Sequence, residues 1–162
     1  MTMRNDSTNV ELNDTGEAVR QLNSLLRGEI SAAETYKMAI DKVADENASF
    51  ASAGLLREIQ EEHGRAAQGL RDRIRELGGE ATDSSGAWGA WAKAVQGTMN
   101  LFGDSAALKS LKEGEEHGLK DYQEAAADVD LSSSQLISNQ LIPAQRKHID
   151  LLDQLISAVG QA

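Results

Sequence analysis

Two short patterns of chemically active residues each occur twice in this chain. A glutamate is followed seven residues later by a tyrosine, and a glutamine is followed three residues later by a histidine. Carboxylate and imidazole groups bind zinc, manganese and ferrous iron, and the same groups also form buried hydrogen-bond networks. The residues that carry these patterns are Glu29, Tyr36, Gln60, His63, Glu115, Tyr122, Gln145 and His148.

The spacing predicts that both patterns lie on helices. Residues three apart share one face of a helix, so Gln60 and His63 point the same way, and so do Gln145 and His148. Each half of the chain is therefore predicted to be a hairpin of two helices, one contributing glutamate and tyrosine and the other glutamine and histidine. The pairs Glu61-Glu62 and Glu115-Glu116 are expected to lie mostly on solvated faces; the alternative is that the second member of each approaches the edge of the site if the register shifts by one residue.

The composition supports helices throughout. The chain has 162 residues with a single proline, and residues that lose little on helix formation are abundant. Apolar residues recur at spacings of three and four, the pattern of a helix with one buried stripe. We predict an all-α protein, with a helix stop at Gly78-Gly79 and a kink or late helix start near Asn139 because of Pro143. The predicted helices span about residues 15–45, 48–77, 105–128 and 133–159.

The segment between the second and third helices, 79–104, is too long for a tight turn and must cross the bundle. Trp88 and Trp91 belong to a series of apolar residues spaced three and four apart in this segment, which predicts a short amphipathic helix. Four helices with one long crossover define the ferritin-like topology. The two tryptophans favour a homo-oligomer with the crossover near its interface; the alternative is that both rings cap the core of a monomer.

Several segments resemble an uncharacterised bacterial family of ferritin-like four-helix bundles. That family is classed as a domain of unknown function and is related at superfamily level to bacterioferritin and rubrerythrin. The resemblance covers roughly residues 17–156 and implies the fold strongly but the activity hardly at all, because one fold hosts many functions. It is carried by residues 22–26, Gly28-Glu29, Tyr36, 77–80, the crossover through Trp91, 114–116, 122–125 and His148.

The donor set has the right groups for one metal ion and argues against two. Ferritin-like di-metal sites use a glutamate from each of two helices and a Glu-x-x-His pair from each of the others. Here Gln60 and Gln145 replace the bridging glutamates, so two carboxylates remain, enough to balance one divalent ion. Di-iron oxidase or ferroxidase chemistry is therefore disfavoured. The predicted ligands of zinc, manganese or iron are Glu29, His63, Glu115 and His148, with Gln60, Gln145, Tyr36 and Tyr122 as neighbours.

The sequence favours a metal-free arrangement over a bound ion, in which the two glutamates and two histidines form a satisfied buried network. The leading function predicted from the sequence is accordingly a non-catalytic structural or stress-associated bundle that acts through self-association or a protein partner. A metal-binding protein, or one with a vestigial di-iron site, is the alternative. Gly28 and Gly114, beside the two glutamates, are expected to permit close helix approach.

The net charge and the amino-terminal segment indicate which partners and which cellular location to expect. The formal net charge is -10 and there is no cysteine, which argues against nucleic acid or membrane partners and against thiol or iron-sulfur chemistry. Residues 1–14 are polar and lack the apolar core of a secretory signal. We expect a disordered tail over 1–14, a single domain over 15–162 and a cytoplasmic location.

Overall fold

A computed structural model describes residues 6–45, 50–86, 93 and 104–160. Within these ranges every regular element is a helix, which confirms the predicted all-α class. None of the described helices is long and apolar enough to cross a membrane. The helices are α1 (Asp6–Asp45), α2 (Phe50–Glu76), α3 (Asp104–Asp128), α4 (Leu131–Leu136) and α5 (Ile142–Val159), with a π-helical segment over Ile137–Leu141 between the last two.

Helix α1 ends at Asp45, as predicted, but begins at Asp6, nine residues before the predicted start at Thr15. The polar segment expected to be a disordered tail over 1–14 is therefore helical from Asp6 onward. Extending an existing helix adds one backbone hydrogen bond per residue without a new nucleation cost. A packed helix can thus continue into a segment whose own sequence shows no apolar stripe.

Helix α2 ends at the predicted glycine pair. Gly78 has a φ of 76°, the left-handed conformation that glycine adopts without strain. The amide of Gly79 donates to the carbonyl of Ile74 at 2.9 Å, and that of Gly78 to Arg75 at 2.9 Å, the two bonds of a Schellman motif. A Cβ atom on Gly79 would lie 2.6 Å from Val19, so α1 also requires a glycine here.

Three consecutive elements, α4, the π-helical segment and α5, form the fourth helix of the bundle. The irregularity predicted near Asn139 is this π-helical segment, Ile137–Leu141. The amide of Ile142 donates to the carbonyl of Ile137, five residues back, just before Pro143. Proline has no amide hydrogen and its ring clashes with the carbonyl four residues earlier. The wider turn accommodates Pro143 while the helix continues.

The beginning of the crossover is attached to α1 by one side chain. The Asn23 amide nitrogen donates to the carbonyl of Glu80 at 2.9 Å, and the Thr82 backbone amide donates to Asn23 Oδ1 at 2.8 Å. The predicted short crossover helix, with Trp88 and Trp91, lies outside the described residues.

Two apolar clusters form the core, with a polar layer between them. Along each long helix the buried polar residues come between members of one cluster and members of the other. The first cluster includes Ile40, Leu56, Ile59, Leu108, Leu111, Leu152 and Leu155. The second includes Leu22, Leu26, Leu70, Ile74, Ala125, Ile137 and Leu141.

Candidate metal centre

The polar layer contains seven of the eight residues singled out from the sequence, and all seven are buried: Glu29, Tyr36, His63, Glu115, Tyr122, Gln145 and His148. The eighth, Gln60, is partly exposed. The four helices of the bundle each contribute at least one of them. No buried side-chain nitrogen or oxygen atom among the described residues lacks a hydrogen-bond partner.

The two tyrosines cross between the halves of the chain. Tyr36 of α1 donates to Glu115 Oε1 of α3 at 2.6 Å, and Tyr122 of α3 donates to Glu29 Oε1 of α1. Burial, together with the neighbouring carboxylates, raises the pKa of each tyrosine well above its usual value. Both hydroxyls therefore keep their protons, and each fixes the carboxylate of the other half.

His63 lies between the two carboxylates. Its Nδ1 is 2.8 Å from Glu29 Oε2 and its Nε2 is 2.9 Å from Glu115 Oε1. Burial alone would lower the pKa of His63, but the charges of Glu115 and Glu29 outweigh it and hold this pKa well above 6.5. In the absence of a metal ion, a protonated His63 is thus the cation that joins both acids.

Glu115 receives more hydrogen-bond partners than any other residue of the layer. Besides Tyr36 and His63, the Gln145 amide donates to Glu115 Oε2 at 2.6 Å, and His148 Nδ1 lies 3.3 Å from the same oxygen. Burial would raise the pKa of Glu115, but His63 and His148 lower it to about 2. Glu115 is therefore ionised at neutral pH.

Glu62 joins the site through His148, so it takes the position at the site edge that was the alternative to a solvated face. His148 Nε2 is 2.7 Å from Glu62 Oε2, and Lys147 donates to the other oxygen at 2.7 Å. The expected solvated position is wrong for Glu62, whose side chain is 17% exposed. One difference between the two repeats indicates such a contact. Glu62 precedes His63, whereas Lys147, of opposite charge, precedes the equivalent His148.

Gln60 does not join the layer as Gln145 does. Its amide donates to the backbone carbonyl of Ala33 at 3.4 Å, whereas the Gln145 amide reaches both the side chain and the backbone carbonyl of Glu115. Both glutamines act as donors. In both, the recorded contacts are made by the amide nitrogen.

Three of the four predicted ligands form a compact donor set. His63, Glu115 and His148 each offer one ligand atom, and these atoms lie within 4.8 Å of one another. Glu29 instead faces the other ring nitrogen of His63, an arrangement that orients a histidine ligand in many metal sites. The residues present fit one divalent ion. They do not fit two irons, because both bridging carboxylates are absent.

This fold and this buried layer define a ferritin-like four-helix bundle. The family described as "Domain of unknown function (DUF2383)" matches residues 17–128. The chain belongs to this family, as the resemblance implied. The matched part includes Glu29, His63 and Glu115 and ends before His148. A search of curated proteins finds no match.

Two solved structures show the same architecture. The bacterioferritin of Rhodobacter capsulatus, described with a metal-free dinuclear site and heme iron, is 25% identical, with a TM-score of 0.74 over 90% of this chain and 87% of that chain. A ferritin-like di-iron-carboxylate protein of Bacillus anthracis is 19% identical, with a TM-score of 0.70 over 88% of this chain and 97% of that chain. The second likeness concerns the fold alone.

Proposed function

We propose that this protein binds one divalent metal ion in the polar layer of its bundle, through His63, Glu115 and His148. The single observation that carries the proposal is the approach of three ligand atoms from three helices to within 4.8 Å in a buried position. Glu29, the fourth residue predicted as a ligand, acts on the ion through the Nδ1 atom of His63.

Each of the three ligands has a partner that orients it. Glu29 faces His63 Nδ1, the Gln145 amide donates to Glu115, and Glu62 faces His148 Nε2. Such outer contacts fix the ring orientation and the ligating nitrogen, and removing one typically costs about 10–100-fold in metal affinity. The arrangement leaves Nε2 of His63 and Nδ1 of His148 directed at Glu115.

Charge supports one ion rather than two. Glu29 and Glu115 supply two negative charges, which offset one divalent ion in a poorly solvated interior, while the charge of Glu62 is offset by Lys147. Histidine with carboxylate suits zinc, manganese or ferrous iron. The bacterioferritin neighbour has a dinuclear site; we propose that this chain keeps a mononuclear remnant of such a site, without di-iron oxidase chemistry.

A non-catalytic structural or stress-associated role in the cytoplasm remains our prediction and is compatible with a bound ion. We also propose self-association, or association with a protein partner, through the crossover. In support, Trp88 and Trp91 are two of only six aromatic residues in the chain. Sedimentation equilibrium tests this: a wild type that is monomeric at micromolar concentration contradicts it, as does a folded Trp88→Ala, Trp91→Ala variant with unchanged assembly.

Metal analysis and calorimetry of protein purified without an affinity tag test the metal site. We expect one zinc, manganese or iron ion per chain in the wild type and none in the Glu29→Ala, Glu115→Ala variant. The matched control is Glu116→Ala, which removes an exposed carboxylate next to Glu115. Absence of stoichiometric metal from the wild type would overturn the proposal, and oxygen consumption with ferrous iron would restore the di-iron enzyme.

A further inference from the structure

A cavity of about 340 Å³ lies between α1 and α3, beside the proposed metal site. This volume falls in the range of ligand pockets, roughly 300–1,000 Å³. Its lining includes Gly28 and Gly114 together with the buried side chains of Glu29, His63, Glu115 and Gln145. Four buried polar residues in the wall of one cavity are the kind of convergent polar groups that are typical of a ligand site.

Small residues keep this space open. A Cβ atom added to Gly28 would meet no atom within 4 Å, so the predicted close helix approach at Gly28 is wrong. A glycine inside a helix costs roughly 1 kcal/mol relative to alanine, and packing does not explain that cost here. The cavity wall on α1 continues with Ser24 and Ala32, which are also small.

The cavity reaches the site from the side of the bundle. Along the bundle axis, the polar layer is enclosed by one apolar cluster on each side. Two of the three proposed ligands, His63 and Glu115, line the cavity. Metal sites with three protein ligands characteristically complete their coordination with an exchangeable water or substrate.

We propose that this cavity admits a small neutral donor molecule that becomes the fourth ligand of the bound ion. The inference rests on the proposed metal site. Glu29 and Glu115 already balance a divalent ion, and the cavity lining adds the carboxylates of Glu113 and Asp121. An anion would be repelled by this lining, so an uncharged nitrogen or oxygen donor is the class of ligand that fits.

Imidazole titrated into the cobalt-substituted full-length protein is the probe, with visible absorption as the readout. We expect the cobalt bands to shift saturably with imidazole in the wild type, and at least tenfold more weakly with azide. Gly28→Leu should abolish the shift, because its side chain fills the cavity, while the protein still binds one cobalt ion per chain. Gly54→Leu is the matched control, since Gly54 is exposed and also has open space around it.

Each outcome of the titration supports or contradicts the proposal. Bands unchanged by imidazole at constant cobalt content overturn the inference, as does an undiminished shift in Gly28→Leu, and a preference for azide overturns the choice of a neutral ligand. A wild type with no cobalt bands before imidazole is added overturns the proposed function itself, so the two failures are distinguishable. If Gly28→Leu loses its cobalt bands, Gly28→Ala, whose added Cβ is tolerated, should show imidazole binding that is weakened but measurable.

Discussion

The two hairpins bring the same residue types to the site but connect them differently. In the second hairpin, Gln145 donates to Glu115, whereas in the first, Gln60 turns to the carbonyl of Ala33. A Cβ atom on Gly118 would lie 2.8 Å from Gln145 Nε2. The equivalent position in the first hairpin is Ala32, which carries a methyl group. We expect this methyl group to decide whether a glutamine can reach its glutamate.

A second difference concerns the residues that precede the histidines. Glu62 accepts from His148, but Lys147, at the equivalent position, has no acceptor to offer His63. His63 instead faces both central carboxylates. The repeat therefore accounts for the residue types that meet in the site. The residues that differ between the hairpins account for the position of Glu115, rather than Glu29, at the centre of the network.

Glu115→Ala should have the largest effect on stability. It removes the acceptor of Tyr36, His63 and Gln145 in a buried layer. Breaking a buried charged network in this way costs about 3–5 kcal/mol in the free energy of unfolding. Glu29→Ala, which removes fewer contacts, should cost less. Urea unfolding of both variants measures this, and equal losses would mean that the two halves are equivalent after all.

Glu62→Gln should weaken zinc binding about 10–100-fold, since it removes the carboxylate that orients His148. Competition with a chelator of known affinity measures the dissociation constant. The control is Glu61→Gln, whose side chain is 70% exposed on the same helix. Equal affinities for the two variants would show that Glu62 does not act on the site, and the ¹⁵N chemical shifts of His148 in metal-free protein would report its tautomer independently.

Gly118→Ala should make the second hairpin resemble the first. The new methyl group displaces the Gln145 amide and leaves buried polar atoms of Glu115 without their partner, at a cost of about 1–3 kcal/mol. Gly64→Ala is the control, because its Cβ would meet no atom within 4 Å, and it should stabilise the helix by up to about 1 kcal/mol. If both variants raise the thermal unfolding midpoint, the proposed role of Gly118 is wrong.

The smallest loss of stability is expected at an ion pair on the surface that joins the two hairpins, outside the buried layer. Asp130 caps α4 by accepting from the amides of Ser132 and Ser133 and also accepts from Arg73 at 2.7 Å. Burial raises the pKa of Asp130, but the bonds from Ser133 and Arg73 outweigh it and lower the pKa below 3.8. Asp130→Ala should cost about 1 kcal/mol at neutral pH.

The direction of the pH dependence follows from that pKa. A carboxylate with a lowered pKa in the folded state stabilises above its unfolded value, and this stabilisation is lost as the pH falls through the folded pKa. The difference between wild type and Asp130→Ala should therefore shrink below pH 3.8. Denaturant melts at several pH values measure it, and a difference that grows on acidification would contradict the assignment.

Helix periodicity predicted most of the fold, because a buried stripe and a glycine stop are local signals. The end of α1 at Asp45 and the irregularity before Pro143 both followed from such signals. The start of α1 at Asp6 did not, since helix extension depends on the packed part of the helix rather than on the extending residues.

The site was predictable in its residue types but not in its connections. Spacing placed Glu29, His63, Glu115 and His148 on the buried stripes. The crossed tyrosines and the contact between Glu62 and His148 depend on how the two hairpins pack across the bundle. No local pattern encodes that packing. The open space at Gly28 likewise appears only once α1 faces α3.

Anomalous diffraction at the zinc absorption edge, from crystals grown with zinc, tests the central claim most directly. We predict one strong peak per chain inside the bundle, in contact with Nε2 of His63, a carboxylate oxygen of Glu115 and Nδ1 of His148. Two peaks about 3.5–4 Å apart would indicate a dinuclear centre. That result, or the absence of any peak in the polar layer, would contradict the proposed single-ion site.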